Sequence, residues 1–179
     1  MTQAHLTLVI GGGYAGLTAA ARICESNTAA DVTLIDAKSQ FVERIRLHEV
    51  AGGSTPRSLP YAEFMADRNG RFIQARVAEI DAAAQVVRLE PGAGPADHTG
   101  TIAFDTLIYA PGSFTDRYSV PGVERFAAFL DTAPDSKEIS DRLETLAQSG
   151  GTVLIAGGGL TAIEAACEFG ERLAGLKIV

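Results

Sequence analysis

Tryptophan is absent from this chain, and cysteine occurs only twice in 179 residues, at Cys24 and Cys167. Two cysteines so far apart form neither a disulfide framework nor a thiolate metal set, so a reducing, cytoplasmic setting is expected. Basic residues are also few, 15 Lys and Arg against 22 Asp and Glu, for a formal charge of −7. Neutralising a phosphate backbone needs clustered cations, so no nucleic-acid partner is expected. No apolar run reaches the roughly 18 residues of a bilayer span, which argues against an integral membrane segment. Met1 to His5 lacks the basic stretch and small-residue cleavage site of a secretory signal. His5, His48 and His98 are scattered, and no Gly-x-Ser-x-Gly, His-Glu-x-x-His or Gly-Lys-Thr motif occurs. Hydrolase, zinc-protease and P-loop chemistry therefore have no anchor, and no metal site is expected.

Glycine is plentiful at 19 residues, with 46% hydrophobic and 21% charged residues, the balance of a soluble α/β protein. Leu6 to Ile10 is a short branched apolar run cut off by Gly11, Gly12 and Gly13. Tyr14 to Ser26 then carries apolar residues at helical spacing, and Val32 to Ile35 is a second apolar run ending at Asp36. Strand, helix and strand in so short a span predict a right-handed crossover and a parallel pair. Ser39 to Leu59 reads as irregular, and Pro60 to Asn69 as a short helix. Phe72 to Ile80, Val86 to Glu90 and Thr101 to Phe104 read as an antiparallel meander whose polar loop is Gly92 to Gly100. Asp105 to Ala110 is another buried strand, and Pro134 to Gln148 an amphipathic helix. The opening cycle then returns: strand Thr152 to Ala156, turn Gly157-Gly158-Gly159, helix Leu160 to Leu173, strand Leu176 to Val179. The fold class is α/β, a Rossmann-like parallel sheet with an antiparallel β-meander, plus the start of a second Rossmann-like unit. The expected division is a first domain over 1–115 and, over 116–179, a linker with the incomplete beginning of a second.

Gly11, Gly13 and Gly16 match Gly-x-Gly-x-x-Gly, in which one glycine allows the turn, the next lets backbone amides approach a pyrophosphate, and the third lets the helix pack closely. The backbone of Gly12, Tyr14 and Ala15 belongs to the same candidate site, since the diphosphate faces the N-terminus of the helix. Asp36, followed by Ala37, closes the second strand about 20 residues on, where an acid accepts hydrogen bonds from ribose hydroxyls. A purely structural glycine turn is the alternative. In the second turn Gly157 and Gly159 precede Ala162 in the third place, with Leu160 and Thr161 opening the helix. Its ribose acid would fall beyond Val179, so NAD and NADP are not distinguished.

Two such turns, separated by a meander and by Asp105-Thr-Leu-Ile-Tyr-Ala-Pro-Gly-Ser113, resemble the FAD-dependent pyridine nucleotide oxidoreductases, flavoproteins with two dinucleotide-binding domains that include the type II NADH dehydrogenases. The resemblance implies that the first turn holds FAD and the second NAD(P)H. It also implies that a strand ending in Ala-Thr-Gly, here Ala110-Pro111-Gly112, lies against the flavin, with Pro111 removing the usual threonine hydroxyl. On the same basis the Val77 backbone would meet adenine, Glu164 would lie near nicotinamide, and Arg44 would reach the FAD phosphates or the flavin edge. Val77 suits a core position equally well, Glu164 a solvated helix face, and Arg44, Arg46 and His48 a single solvated surface. Disulfide reductases of this superfamily carry paired cysteines where Ser39 to Gly53 has none, so the chemistry would rest on the flavin and no catalytic side chain is assigned. The implied activity passes a hydride from NAD(P)H to FAD and electrons to a small acceptor such as a quinone. A non-catalytic dinucleotide-binding module is the alternative. A nicotinamide-only dehydrogenase would show one turn and a catalytic Tyr-Lys or His constellation, which are not seen. An unpaired sheet edge would favour a homodimer.

Overall fold

The computed structural model describes residues 4–26, 29–91 and 100–179; the polar loop expected before Gly100 lies outside them. In chain order the elements are β1 (His5–Ile10), α1 (Tyr14–Ser26), β2 (Ala30–Asp36), β3 (Gln40–Val42), a 3-10 turn (Arg44–Arg46), α2 (Leu47–Ala51), β4 (Ser58–Pro60), α3 (Tyr61–Ala66), β5 (Arg71–Gln74), β6 (Val77–Asp81), β7 (Val86–Leu89), β8 (Thr101–Ala103), β9 (Thr106–Tyr109), α4 (Val123–Phe126), α5 (Ala133–Gln148), β10 (Thr152–Val153), α6 (Leu160–Arg172) and β11 (Lys177–Ile178). They gather into two compact units, Met1–Phe41 with Ser58–Ser113, and Val42–Arg57 with Phe114–Val179.

The first unit is built on a sheet of order β5-β2-β1-β9, parallel throughout. Its two central strands are buried on both faces, which is why β1 and β2 read as near-continuous apolar runs. Alternation sends Val9 to one face and Leu8 and Ile10 to the other. On the first face Val9, Val32 and Leu34 pack with Leu17 and Ala20 of α1 and with Tyr61 and Met65 of α3. On the second, Leu8, Ile10, Ile35 and Ile73 pack with Val87 and Leu89 of β7 and with Phe104. Each fully buried aliphatic side chain stabilises the sandwich by about 1.5–3 kcal/mol.

The antiparallel sheet β6-β7-β8 is present, but the continuous strand expected over Phe72 to Ile80 is two strands. Arg71 to Gln74 runs parallel to β2 as the edge of the main sheet, with Phe72 opposite Leu34 and Ile73 opposite Ile35. The Ala75 amide donates to Asp36 O at 2.9 Å before the chain turns into β6. An edge strand with Phe72 on one face and Ile73 on the other has the same alternation as a meander strand, so the pattern alone did not separate them. Ser39 to Leu59, expected to be irregular, contains β3, the 3-10 turn, α2 and β4.

In the second unit Ala51 of α2, Leu143 of α5, and Ala165 and Phe169 of α6 form the core, with Val153, Ile155, Leu173 and Ile178 packed on it. Helix α5 is capped by Thr132, whose Oγ1 accepts from Asp135 N at 3.2 Å, and Pro134 occupies its first turn, where a missing N–H costs nothing. The strands expected over Thr152 to Ala156 and Leu176 to Val179 shrink to β10 and β11, a parallel pair joining Thr152 to Lys177 and Val153 to Ile178. Each has a single neighbour among the described residues, so little ladder defines them.

Candidate nucleotide-binding site

Between β1 and α1 the chain reverses within three glycines. Gly11 sits at φ +96°, a backbone region open to glycine and costly for other residues, and its amide donates to Ile35 O at 2.8 Å. A β-carbon at Gly11 would run into Ala110 O, one at Gly16 into Gly11 O, and one at Gly12 into the Tyr61 ring. At Gly13 nothing lies within 4 Å. Three of the glycines are therefore closed against the protein and the fourth opens outward.

Helix α1 starts with Leu17 N donating to Gly13 O at 2.9 Å. Gly13, Tyr14 and Ala15 are exposed, and amides in a first helical turn have no intrahelical acceptor. Their N–H groups and the positive end of the helix dipole suit an anion, and no acidic residue occupies that turn. The open space at Gly13 is the space a diphosphate needs for close backbone approach.

Asp36 points into the turn. Its Oδ2 accepts from Gly12 N at 2.7 Å and its Oδ1 from Lys38 N at 2.8 Å. A carboxylate offers about four lone-pair positions, so each oxygen keeps one for a ribose hydroxyl. On the other side of the same glycine, the Tyr61 hydroxyl donates to Gly12 O at 2.8 Å. Tyr61 is 3% exposed and its ring leans on Phe72 at 5.2 Å between centroids. Burial, and then the Asp36 charge, push its phenol well above the usual range, so it stays a neutral donor. No motif flagged Tyr61, because a tyrosine on the apolar face of a short helix reads as core.

The remaining expected residues of the first unit each have contacts of their own. The Tyr14 ring stands edge-on to Phe41 at 4.9 Å, and Ala37 O accepts from Gln74 Nε2 at 3.2 Å. Ala110 donates its amide to Ile10 O at 2.8 Å, and Gly112 has φ +77°. Val77 pairs with Leu89 just before the β6–β7 register shifts, and its side chain packs on the core.

The second unit holds the other expected residues. Gly157 has φ +139°, Gly159 caps α6 without a side-chain bond, and Leu160 and Thr161 open that helix with both residues exposed. Glu164 faces His48, Oε2 to Nδ1 3.7 Å. Arg44 lies 3.7 Å from Asp131 Oδ1 and 5.9 Å from the Phe114 ring centroid, while Arg46 binds Glu49 at 2.9 Å. Each of Arg44, Arg46 and His48 thus lies beside a carboxylate, with Arg44 exposed and Arg46 also 3.7 Å from Glu43. Asp131, unmarked in the sequence, is 4% exposed and accepts from Thr115 Oγ1 at 2.7 Å and Arg117 Nη2 at 3.1 Å.

The family model described as pyridine nucleotide-disulphide oxidoreductase matches residues 6–179. The chain is 29% identical to the demethylphylloquinone reductase NdbB of Synechocystis over 184 aligned residues, covering 97% of this chain and 45% of that protein. It is 32% identical to an NADH dehydrogenase-like protein of Mycobacterium tuberculosis over 178, covering 93% and 42%. The chain therefore spans less than half the length of these curated relatives. Among solved structures, NDH2 from Plasmodium falciparum in complex with NADH superposes with a TM-score of 0.79 at 19% identity, over 93% of this chain and 37% of that one. At that identity the likeness is one of fold.

Proposed function

This chain belongs to the pyridine nucleotide-disulphide oxidoreductase family, and from that premise we propose that it is the dinucleotide-binding part of a flavoprotein that oxidises NAD(P)H and reduces a small acceptor such as a quinone. FAD and NAD(P)H are the cofactors of this reading. When bound, FAD supplies the capacity to take a hydride and release its electrons onward. The chain's own residues bind and orient. Amides of Gly13, Tyr14 and Ala15 receive the FAD diphosphate, Asp36 receives the ribose, and Gly157, Gly159, Leu160 and Thr161 offer a second helix start to NAD(P)H. Val77, Ala110, Gly112, Arg44 and Glu164 belong to the same proposal, carried over from the family resemblance. A quinone acceptor is supported by the names of the relatives, the Synechocystis reductase among them. A reducing, cytoplasmic setting is supported by two free cysteines, Cys24 and Cys167. No helix among the described residues is long and apolar enough to cross a membrane.

The observation that carries the reading is the Asp36 carboxylate turned onto the glycine turn, 2.7 Å from Gly12 N. Titration of the 179-residue chain with FAD and with ADP, followed by calorimetry and flavin fluorescence, is expected to show saturable binding. Asp36→Ala removes a charge-assisted acceptor and the ribose ligand together, worth about 2–3 kcal/mol, so affinity should fall by roughly 30- to 140-fold. A folded chain that binds neither ligand overturns the reading. Binding with no oxidation of NADH or NADPH in the presence of a soluble quinone would favour a dinucleotide-binding module over an enzyme.

A further inference from the structure

We propose that Tyr61 is a positioning residue for the diphosphate site, holding the Gly12–Gly13 peptide so that the Gly13 N–H faces the ligand. The inference rests on the dinucleotide reading of the turn and assigns a role to a residue outside the glycine motif. A trans peptide is planar, with its C=O and N–H pointing in opposite directions. The Gly12 carbonyl accepts from the Tyr61 hydroxyl at 2.8 Å, on a side chain only 3% exposed, so that carbonyl points into the protein. The N–H at the other end of the same plane, that of Gly13, must then point away from Tyr61, at a residue that is exposed and has room beside it for a β-carbon.

This plane needs a lock because of the residues on either side of it. Both flanking residues are glycines, so neither carries a β-carbon to oppose a flip of the peptide. Flipped, the plane would present its carbonyl oxygen to the diphosphate, replacing a donor with an acceptor where negative charge must sit. The preceding plane is held separately, because the Gly12 N–H donates to Asp36 Oδ2 at 2.7 Å. Two consecutive planes are thus fixed by side chains from two elements, Asp36 at the end of β2 and Tyr61 at the start of α3. The Tyr61 ring adds a wall behind Gly12, where a β-carbon would run into it.

Tyr61→Phe keeps the wall and removes the hydroxyl. Calorimetry on the full chain should show ADP affinity lowered about tenfold, the value of one preorganised hydrogen bond. Adenosine, which lacks the diphosphate but keeps the ribose that Asp36 receives, should bind as it does to wild type. In the wild-type protein the Gly13 amide proton should shift on adding ADP and not on adding adenosine, a readout that holds even if the variant folds poorly. Unchanged ADP affinity in Tyr61→Phe, equal losses for ADP and adenosine, or a Gly13 proton indifferent to bound ADP would each overturn the assignment. If wild type binds no ADP at all, the failure lies instead with the dinucleotide reading itself.

Discussion

At Gly11, Gly12 and Gly16 a β-carbon would run into a carbonyl oxygen or an aromatic ring, whereas at Gly158 and Gly159 it would meet nothing within 4 Å. Both turns follow a strand and open a helix of 13 residues, and both satisfy the same spacing rule. In the first, spacing is enforced by packing: helix, strand β9 and α3 close on the glycines, and a carboxylate and a phenol hold the backbone. In the second, Gly158 and Gly159 have open space around them and a β-carbon at Gly157 would meet only the Ala162 methyl, at 3.9 Å. In each unit a carboxylate also ties down backbone. In the first unit Asp36 accepts from the glycine turn; in the second Asp131 accepts from Thr115 N at 3.3 Å and from the side chains of Thr115 and Arg117. A glycine fingerprint thus marks where a nucleotide can sit, and the surrounding contacts show how firmly the protein prepares the place.

The largest test of this contrast is Gly16→Ala. The added methyl would run into Gly11 O, a backbone atom that cannot rotate away, so α1 must lift from the turn. Overpacking of this kind costs about 1–3 kcal/mol, and the displaced amides would no longer meet a diphosphate. Thermal unfolding should show the lost stability, and calorimetry should show FAD affinity down by more than tenfold. Full retention of both would mean that the first turn is no tighter than the second.

Asp131→Asn should have the next largest effect. Burial opposes the charge of Asp131, yet hydrogen bonds from Thr115 and Arg117 outweigh it and hold the carboxyl below the usual aspartate value. A depressed folded-state pKa means the stabilisation is fully present above the ordinary value near 4 and drains away as pH falls through the lowered one. The substitution should cost about 2 kcal/mol at neutral pH and flatten the acid limb of a pH series of melting temperatures. Adenosine affinity should stay put, because the ribose contact assigned to Asp36 is untouched, whereas Arg44, assigned to the phosphates, loses an ion-pair partner. An equal loss of adenosine binding would show that the two carboxylates do not serve separate tasks.

The sequence made the first turn legible because its chemistry is local. Gly11, Gly13, Gly16 and Asp36 are tied by chain geometry alone, and burial of β1 and β2 on both faces writes itself as apolar runs. Tyr61 escaped because its partner, the Gly12 carbonyl, is distant in sequence, and no composition rule distinguishes a buried phenol with a task from one that fills space. Asp131 escaped for the same reason, since a lone aspartate before a helix reads as a capping or turn residue. Phe72 to Gln74 was placed in the wrong sheet because a four-residue edge strand carries too short a pattern to reveal its neighbour. The second turn was legible as spacing, but its openness was not, since steric room depends on what packs around the glycines.

The smallest expected effect is the sharpest probe of that openness. Gly158→Ala places a methyl where nothing lies within 4 Å, at a residue outside the positive-φ set that includes Gly157 at +139°. Neither sterics nor backbone strain opposes it, so stability should change by no more than about 0.5 kcal/mol. The reduced freedom of the unfolded chain even acts slightly in favour of the alanine. A melting temperature within a degree or two of wild type, beside the large loss for Gly16→Ala, would establish that one motif is built two ways in a single chain. A loss comparable to that of Gly16→Ala would require a neighbour packed on the second turn as closely as Tyr61 and Ala110 pack on the first.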